Sequence, residues 1–195
     1  MSVQPKRSTG RDPRSILAIA AEVLLADPTA SLADVAAAAG VGRTTLHHRF
    51  PTRHDLLVAL AHDSLDQCAE AIDASGLVAI DEGSTPAELR AALRKLVDVL
   101  IPLGPRIALL VRQPSLDKEK DLEERLARLD APVETFCGFA QKAGVLRSDQ
   151  TVWWQVQSVY ALTYLAWEGI AAGRIAPLDA TELTLDTFLT GTGAR

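Results

Sequence analysis

Residues 31–57 have the sequence SLADVAAAAGVGRTTLHHRFPTRHDLL, and this stretch decides the fold. Ser31 is a typical N-cap residue, and the apolar spacing after it predicts a short helix from Leu32 to Ala39. Gly40 follows at the C-cap, where a left-handed backbone favours glycine. A second short helix is predicted from Gly42 or Arg43 to about Phe50. Two short helices joined by a tight glycine turn predict a helix-turn-helix.

The second of these helices has a polar outer face and an apolar inner one. Leu46 and Phe50 are the inner anchors. The outer side chains are polar or basic: Arg43, Thr44, Thr45, His47 and His48. Taken alone, such a face is more typical of an ordinary solvated helix. Within a helix-turn-helix it predicts a recognition helix whose N-terminal side chains reach base edges in the major groove of DNA.

The rest of the chain is also predicted to be helical. The apolar spacing predicts a first helix from Pro13 to Ala26 and a fourth from Arg53 to about Ala74, and no segment alternates as a strand does. We therefore expect an all-α protein of about nine helices. Residues 1–56 would form the three-helix helix-turn-helix domain with a basic arm, and residues 57–195 a helical ligand-binding and dimerisation domain.

Three features of the later helices are predicted from local signals. A long helical segment over residues 118–143 is expected to be interrupted at Pro132, because proline lacks the amide hydrogen that a helix interior needs. N-caps are expected before the last two helices, at Ser148 or Asp149 for one and at the capping-box pair Asp179 and Glu182 for the other.

Positive charge is concentrated at the N-terminal end. Residues 1–56 contain seven Lys/Arg and five Asp/Glu, a net charge of +2, whereas the remainder contains 13 and 20, a net charge of −7. This local excess is the electrostatic pattern that DNA binding requires. Lys6, Arg7 and Arg11 lie in an arm that either contacts the minor groove or is a solvated tail.

Several classes of protein are disfavoured by the sequence. No apolar run is long enough to span a membrane, and no secretory core is present, so we expect a cytoplasmic protein. Cys68 and Cys137 are too few and too far apart for a disulfide framework. The motifs G-x-S-x-G and H-E-x-x-H and a phosphate-binding glycine loop are absent, which argues against an enzyme. His47, His48 and His54 do not predict a metal site, and no cofactor is expected.

The helix-turn-helix resembles the DNA-binding domain of the tetracycline-repressor (TetR/AcrR) family. The similarity extends over roughly residues 13–60 and rests on Val35, Ala36, Ala39-Gly40-Val41, Thr45-Leu46, Phe50, Arg53 and Leu56-Leu57. It implies a homodimeric repressor that binds double-stranded, palindromic operator DNA and is released by a small-molecule effector. The DNA-contacting residues that it implies are Ser31, Arg43, Thr44, Thr45, His47, His48 and Arg53.

The sequence departs from the family pattern within the recognition helix. Gly42 stands where the family usually has serine, so this helix lacks its usual side-chain cap. Thr44 replaces a common glycine, and His47 a common tyrosine. Arg49 replaces a common histidine or tyrosine. These changes affect the exact set of DNA contacts rather than the fold.

An aromatic helix near the C-terminus suggests an effector site. Trp153, Tyr160, Tyr164 and Trp167 share one side of it at helical spacing, and Glu168 is the one charged residue between Val152 and Ala172. With Phe136 of the preceding helix, these residues are candidates to line a pocket for an apolar, aromatic ligand. Simple core packing is the alternative for each aromatic residue.

The opposite side of the same helix suggests a dimer interface. Small residues there permit close packing, and the resemblance implies that this helix and the last one join a second copy. The candidate interface residues are Trp154, Ser158, Ala161, Leu165, Gly169 and Phe188. A helical protein–protein adaptor without operator specificity remains the alternative function, and the sequence does not decide whether a ligand releases or promotes DNA binding.

Overall fold

The computed structural model describes the backbone of residues 13–116 and 118–193, and the side chains of these residues except 13–15, 111, 112 and 114. The predicted basic arm, with Lys6, Arg7 and Arg11, lies outside the described residues. Within them the protein is all-α, as predicted, with nine α-helices and no β-strand beyond one isolated bridge between Leu146 and Gly193.

The nine helices follow one another in a simple order. They are α1 (Pro13–Ala26), α2 (Leu32–Ala39), α3 (Arg43–Arg49), α4 (Arg53–Ala74), α5 (Pro86–Leu100), α6 (Gly104–Arg112), α7 (Lys120–Lys142), α8 (Val152–Ala171) and α9 (Ala180–Thr192). Short 3₁₀ turns lie before α5, before α6 and before α7, at Leu77–Ala79, Ile101–Leu103 and Pro114–Leu116.

The chain divides into two compact units, residues 1–63 and 64–195. The division falls inside α4, seven residues beyond the boundary predicted at residue 56, so this one helix contributes residues to both units. In the first unit, α1 and α2 pack together and α2 packs against α3. Its core is apolar, with Ile16, Leu24, Val35 and Leu60 almost fully buried.

In the second unit, α8 is the central helix and contacts α5, α6, α7 and α9. Its inner side chains Val156, Val159 and Ala166 are buried. Trp167 packs so closely on the start of α6 that a Cβ at Gly104 would overlap its side chain. Glycine is therefore required there to bring the two helices together.

Two local predictions were wrong, and a third was confirmed only in position. The helix α7 is continuous through Pro132, because proline removes only one backbone hydrogen bond while Val133 and Phe136 beyond it are held in the core. The N-cap of α8 is Thr151, whose hydroxyl accepts from the Trp154 amide at 3.2 Å. Asp179 is the N-cap of α9, as predicted, but its backbone is helical and its side chain makes no capping hydrogen bond, while Glu182 pairs with Arg94 instead of completing a capping box.

Candidate DNA-binding surface and effector cavity

The recognition helix α3 is attached to the first unit by very few side chains. Leu46 is 1% exposed, and Phe50 is buried just beyond the helix end, where its amide donates to the Leu46 carbonyl at 2.7 Å. The other six side chains of the helix are all exposed: Arg43, Thr44, Thr45, His47, His48 and Arg49. One full face of α3 is therefore available to a partner molecule.

The angle between α2 and α3 is fixed by the glycine turn. Gly40 has a φ of 65°, and the Val41 amide donates back to the Ala36 carbonyl at 3.0 Å. This is the closing bond of a Schellman motif, which needs a left-handed residue at the position of Gly40. The prediction of a left-handed glycine here is confirmed by the backbone angle.

Ser31, a candidate DNA contact, takes part in a capping box within the protein. Its hydroxyl donates to the Asp34 carboxylate at 2.6 Å, and its amide donates to the same oxygen at 2.8 Å. These hydrogen bonds hold the pKa of Asp34 below its usual value, with a smaller contribution from the charge of Arg43. Ser31 is exposed, but its hydroxyl hydrogen already serves to start α2.

Arg53, another candidate DNA contact, is half-buried at the start of α4. Its Nε donates to the Ala30 carbonyl at 3.3 Å, and its Nη2 donates to the Pro28 carbonyl at 2.5 Å. Of the five N–H donors of a guanidinium, three remain for another partner. These hydrogen bonds were not predicted, because no sequence pattern relates Arg53 to the carbonyl groups of Pro28 and Ala30.

The second unit contains a mainly apolar cavity of about 110 Å³. Helices α4, α5, α6, α7 and α8 all contribute to its wall. The apolar lining residues are Cys68, Ile72, Leu100, Ile107, Leu110, Leu126 and Leu129, and the polar ones are Asp130, Gln157 and Tyr160. Leu110 and Leu126 also line a larger recess of about 280 Å³, together with Leu65, Leu116, Leu122 and Glu123.

Two oxygen atoms at the cavity, Asp130 Oδ1 and Tyr160 Oη, are buried; they lie close enough to shift each other's pKa, but no described residue meets either atom in full hydrogen-bond geometry. Burial raises the pKa of Asp130; the nearby Tyr160 hydroxyl lowers it, and the charge of Glu134 raises it further. Burial, and then the charge of Asp130, raise the pKa of the Tyr160 phenol, which is therefore neutral.

Both cysteine thiols of the chain are buried in this unit. Burial raises the pKa of Cys68 to about 11, against a smaller opposing effect of the Arg106 charge. Burial raises the pKa of Cys137 to about 12. Both side chains are therefore protonated, apolar neighbours at neutral pH.

Of the candidate effector residues, Tyr160 lines the cavity. Phe136 lies in the core, Trp153 is 62% exposed, and Trp167 packs on Gly104. Tyr164 lies beside Trp167 and donates to Glu168 at 3.1 Å, on the outside of α8. The aromatic residues are thus distributed among surface, core and cavity rather than gathered in one site.

Sequence reasoning identified only Tyr160 among the lining residues, and Asp130 is the charged one that it missed. A signal for it exists, because it interrupts an apolar stripe of α7 at helical spacing, between Leu126 and Val133. An acidic residue at a core position of an amphipathic helix indicates a buried charge that needs a partner.

Most of the candidate dimer residues do lie on a surface of the second unit. Trp154 is 54% and Leu165 is 56% exposed; Ala161 is exposed, and Ser158 is half-buried. Leu183 of α9 is also 50% exposed. We call these five residues the α8/α9 face.

Phe188 and Gly169 are not part of that face. Phe188 is 1% exposed, because it points into the core of the second unit. Gly169 is covered within its own chain, since a Cβ there would fall inside the Ile175 side chain.

A helix-turn-helix whose second helix offers a complete polar face defines a DNA-binding protein. Comparisons with known proteins agree. The family model for bacterial regulatory proteins of the tetR family matches residues 16–60. The HTH-type transcriptional repressor LfrR of Mycolicibacterium smegmatis is 35% identical over 178 residues, which cover 89% of each chain. The chain therefore belongs to the tetR family and is a DNA-binding transcription regulator.

Solved structures show the same fold over nearly the whole chain. The TetR-like regulator LfrR from Mycobacterium smegmatis, in complex with proflavine, is 31% identical, with a TM-score of 0.72 over 91% of this chain and 94% of that one. The MbdR regulator from Azoarcus sp. CIB is 20% identical, with a TM-score of 0.68 over 91% and 96%. None of the described helices combines the length and the apolarity that crossing a membrane demands.

Proposed function

We propose that this protein is a dimeric repressor that binds a palindromic operator and is released by a small molecule. Each subunit would place α3 in the major groove, with half-sites about 34–36 Å apart or a multiple of that distance. The observation that carries this proposal is the exposed polar face of α3, which only Leu46 and Phe50 anchor. At the N-terminal end of that face, Arg43 is the residue able to make two hydrogen bonds to a guanine.

The α8/α9 face supports the dimeric part of the proposal. Trp154, Leu165 and Leu183 are large apolar side chains that a single subunit leaves half-exposed or more. Apolar surface of this kind marks an interaction site, and symmetric dimers are the commonest soluble assembly. A twofold dimer through this face would supply the two recognition helices that a palindrome requires.

The cavity supports the ligand-dependent part. Cys68 and Ile72 of α4 belong to its wall, and the same helix begins in the first unit at Arg53. A ligand that displaces this wall acts on a helix that the DNA-binding unit shares. The related LfrR has been solved with proflavine, which makes planar aromatic compounds reasonable candidates for this chain. A coupling of about 1–3 kcal/mol would weaken operator binding roughly 5- to 150-fold.

The test is selection of DNA sequences from a random library by the full-length protein, followed by affinity measurements on the selected site. We expect an inverted repeat, bound by two subunits. Arg43→Ala should relax the preference at particular base pairs. Arg90→Ala, which removes an exposed cation of α5, is the matched control and should leave that preference unchanged. A protein that selects no sequence would instead be an adaptor.

A further inference from the structure

The effector cavity contains an unsatisfied pair of oxygen atoms. Asp130 Oδ1 on α7 and Tyr160 Oη on α8 are both buried and lie near each other, but neither has a partner in full hydrogen-bond geometry among the described residues. Both residues line the same cavity, whose other walls are mostly apolar. Buried polar atoms without partners are uncommon and costly. Whatever fills this cavity is therefore favoured if it can bond to both atoms.

We infer that the effector of this protein is a cation with N–H donors on an elongated apolar body, with Asp130 as its counter-charge and Tyr160 as its second polar contact. The inference rests on the proposed function, in that it takes this cavity as the effector site. It names the chemical class of the ligand, which neither the helix-turn-helix nor the aromatic content of α8 defines.

The alternatives fit the cavity less well. An anion would meet the Asp130 carboxylate in a desolvated site, with Glu134 one helical turn further along α7 adding to the repulsion. A neutral hydrocarbon would bury Asp130 and Tyr160 without hydrogen bonds. A protonated amine gives the carboxylate both a charge partner and a donor, and such charge-assisted bonds are the strong ones.

The size of the cavity indicates an elongated ligand. Its volume of about 110 Å³ is too small for a drug-sized molecule, for which pockets of about 300–1000 Å³ are usual. The neighbouring recess of about 280 Å³ shares Leu110 and Leu126 with it. Leu126 is 43% exposed, so its side chain has room to move aside. With Leu126 displaced, the charged group would lie at Asp130 and the apolar body would extend into the recess.

The test compares two probes that share a three-ring frame, measured on the free full-length protein by fluorescence titration at neutral pH. One is 9-aminoacridine, a planar cation with N–H donors, and the other is 2-aminoanthracene, which is uncharged at this pH. We expect 9-aminoacridine to bind at least tenfold more tightly. Equal affinities, or no binding of 9-aminoacridine, would overturn the inference.

The variants Asp130→Asn and Tyr160→Phe then locate the interaction. Asp130→Asn should weaken 9-aminoacridine binding at least tenfold while leaving 2-aminoanthracene unchanged, and Tyr160→Phe should weaken it a few-fold. Glu124→Gln, which removes an exposed acid of α7 paired with Arg128, is the matched control and should have little effect. Asp130→Asn removes a buried charge, so its melting temperature should not fall, and circular dichroism checks this.

The proposed function is tested by a separate measurement on the same probes. If 9-aminoacridine binds the free protein through Asp130 but does not release the selected operator, the release mechanism is wrong and the ligand class stands. If the selected operator is bound normally but Asp130→Asn leaves 9-aminoacridine binding unchanged, the ligand class is wrong and the DNA-binding function stands.

Discussion

The guanidinium of Arg53 donates a hydrogen bond from Nε to the carbonyl oxygen of Ala30, 3.3 Å away. A second bond from the same group reaches Pro28. The first residue of α4 is thus attached to the loop between α1 and α2, and that loop leads directly into the capping box of α2. Arg53 therefore has a structural role in addition to the phosphate contact that we propose for it.

Arg53→Ala should lower both stability and DNA affinity. Two carbonyls lose a charged donor, which we expect to cost about 1 kcal/mol because the group is only half-buried and water can replace part of the bond. Loss of one phosphate contact should weaken binding to all sequences and reduce the salt dependence. Arg53→Lys keeps the charge but not the paired donors. Compared with Arg53→Ala, it should therefore recover most of the salt dependence of DNA binding but less of the urea midpoint of unfolding. An unchanged urea midpoint for Arg53→Ala would show that the hydrogen bonds of Arg53 to Ala30 and Pro28 do not stabilise the fold.

Gly42→Ser should stabilise the recognition helix. Gly42 is the N-cap of α3, with φ −67° and ψ 142°, and it offers no side-chain cap. A Cβ there would lie 3.5 Å from Thr45 Oγ1, which is ordinary contact, so serine fits. We expect a gain of about a few tenths of a kcal/mol in thermal unfolding. Gly42→Ala fits equally well but cannot cap, so a gain of the same size in that variant would contradict the capping explanation.

Ala161→Arg should convert the protein into monomers. Ala161 is exposed on the α8/α9 face, so the new side chain does not disturb the fold of one subunit. Across a twofold axis it would place two like charges in an apolar contact. Sedimentation velocity should show loss of the dimer, and operator affinity should fall although α3 is intact. Ala127→Arg, on an exposed position of α7, is the control. A dimer that survives Ala161→Arg would place the interface elsewhere.

Binding of a cationic effector should weaken as the pH falls. Burial raises the pKa of Asp130 in the free protein, and protonation removes the charge that pairs with the ligand. Affinity should therefore drop, by at most about tenfold per pH unit, as the pH falls through this raised pKa, and level off above it. The stability of the free protein has the opposite pH dependence. Because the pKa of Asp130 is raised in the folded state, this residue favours folding at low pH, and that contribution is lost as the pH rises through the raised pKa.

The pH effect can be assigned by variants, since other titratable groups surround Asp130. Tyr160 faces it from α8, Glu134 lies on α7, and Cys68 of α4 is itself influenced by Arg106 of α6. Asp130→Asn should abolish the pH dependence of 9-aminoacridine binding, measured by titration from pH 4.5 to 8. Glu134→Gln should preserve it. Retention of the full dependence in Asp130→Asn would assign it to another group.

Gly104→Ala should destabilise the second unit. The added methyl would overlap the Trp167 side chain, and overpacking of this kind costs about 1–3 kcal/mol. The same substitution in a Trp167→Leu background should cost clearly less, because the bulk that it meets is reduced. Thermal unfolding of the four proteins gives the coupling between the two sites. Additive effects would mean that this contact does not limit the packing of α6 on α8.

The sequence predicted the helix-turn-helix well because its signals are local. Ser31, Gly40 and the apolar spacing of each helix act within a few residues, and the predicted bounds of α1, α2 and α4 are confirmed. The prediction at Pro132 failed because tertiary packing outweighs the loss of one hydrogen bond.

The cavity could not be predicted from one helix at a time. Its wall comes from five helices, and its polar atoms, on α7 and α8, are 30 residues apart in the chain at Asp130 and Tyr160. The periodicity of α8 identified Tyr160 but could not distinguish it from Trp153, which has the same phase and lies at the exposed end of the helix. Only the arrangement of the helices separates surface, core and cavity.

The labelling rates of the two buried thiols report how often the structure around each of them opens. A thiol reagent reacts with thiolate, so at neutral pH neither Cys68 nor Cys137 can be modified until its surroundings open. Both cysteines belong to the core of the second unit, and Cys68 also lines the cavity. The labelling rate of Cys68 would time the breathing of the cavity wall, and that of Cys137 the unfolding of the whole unit. A bound effector would slow the labelling of Cys68 far more than that of Cys137. Occupancy of the cavity can therefore be followed without any attached dye.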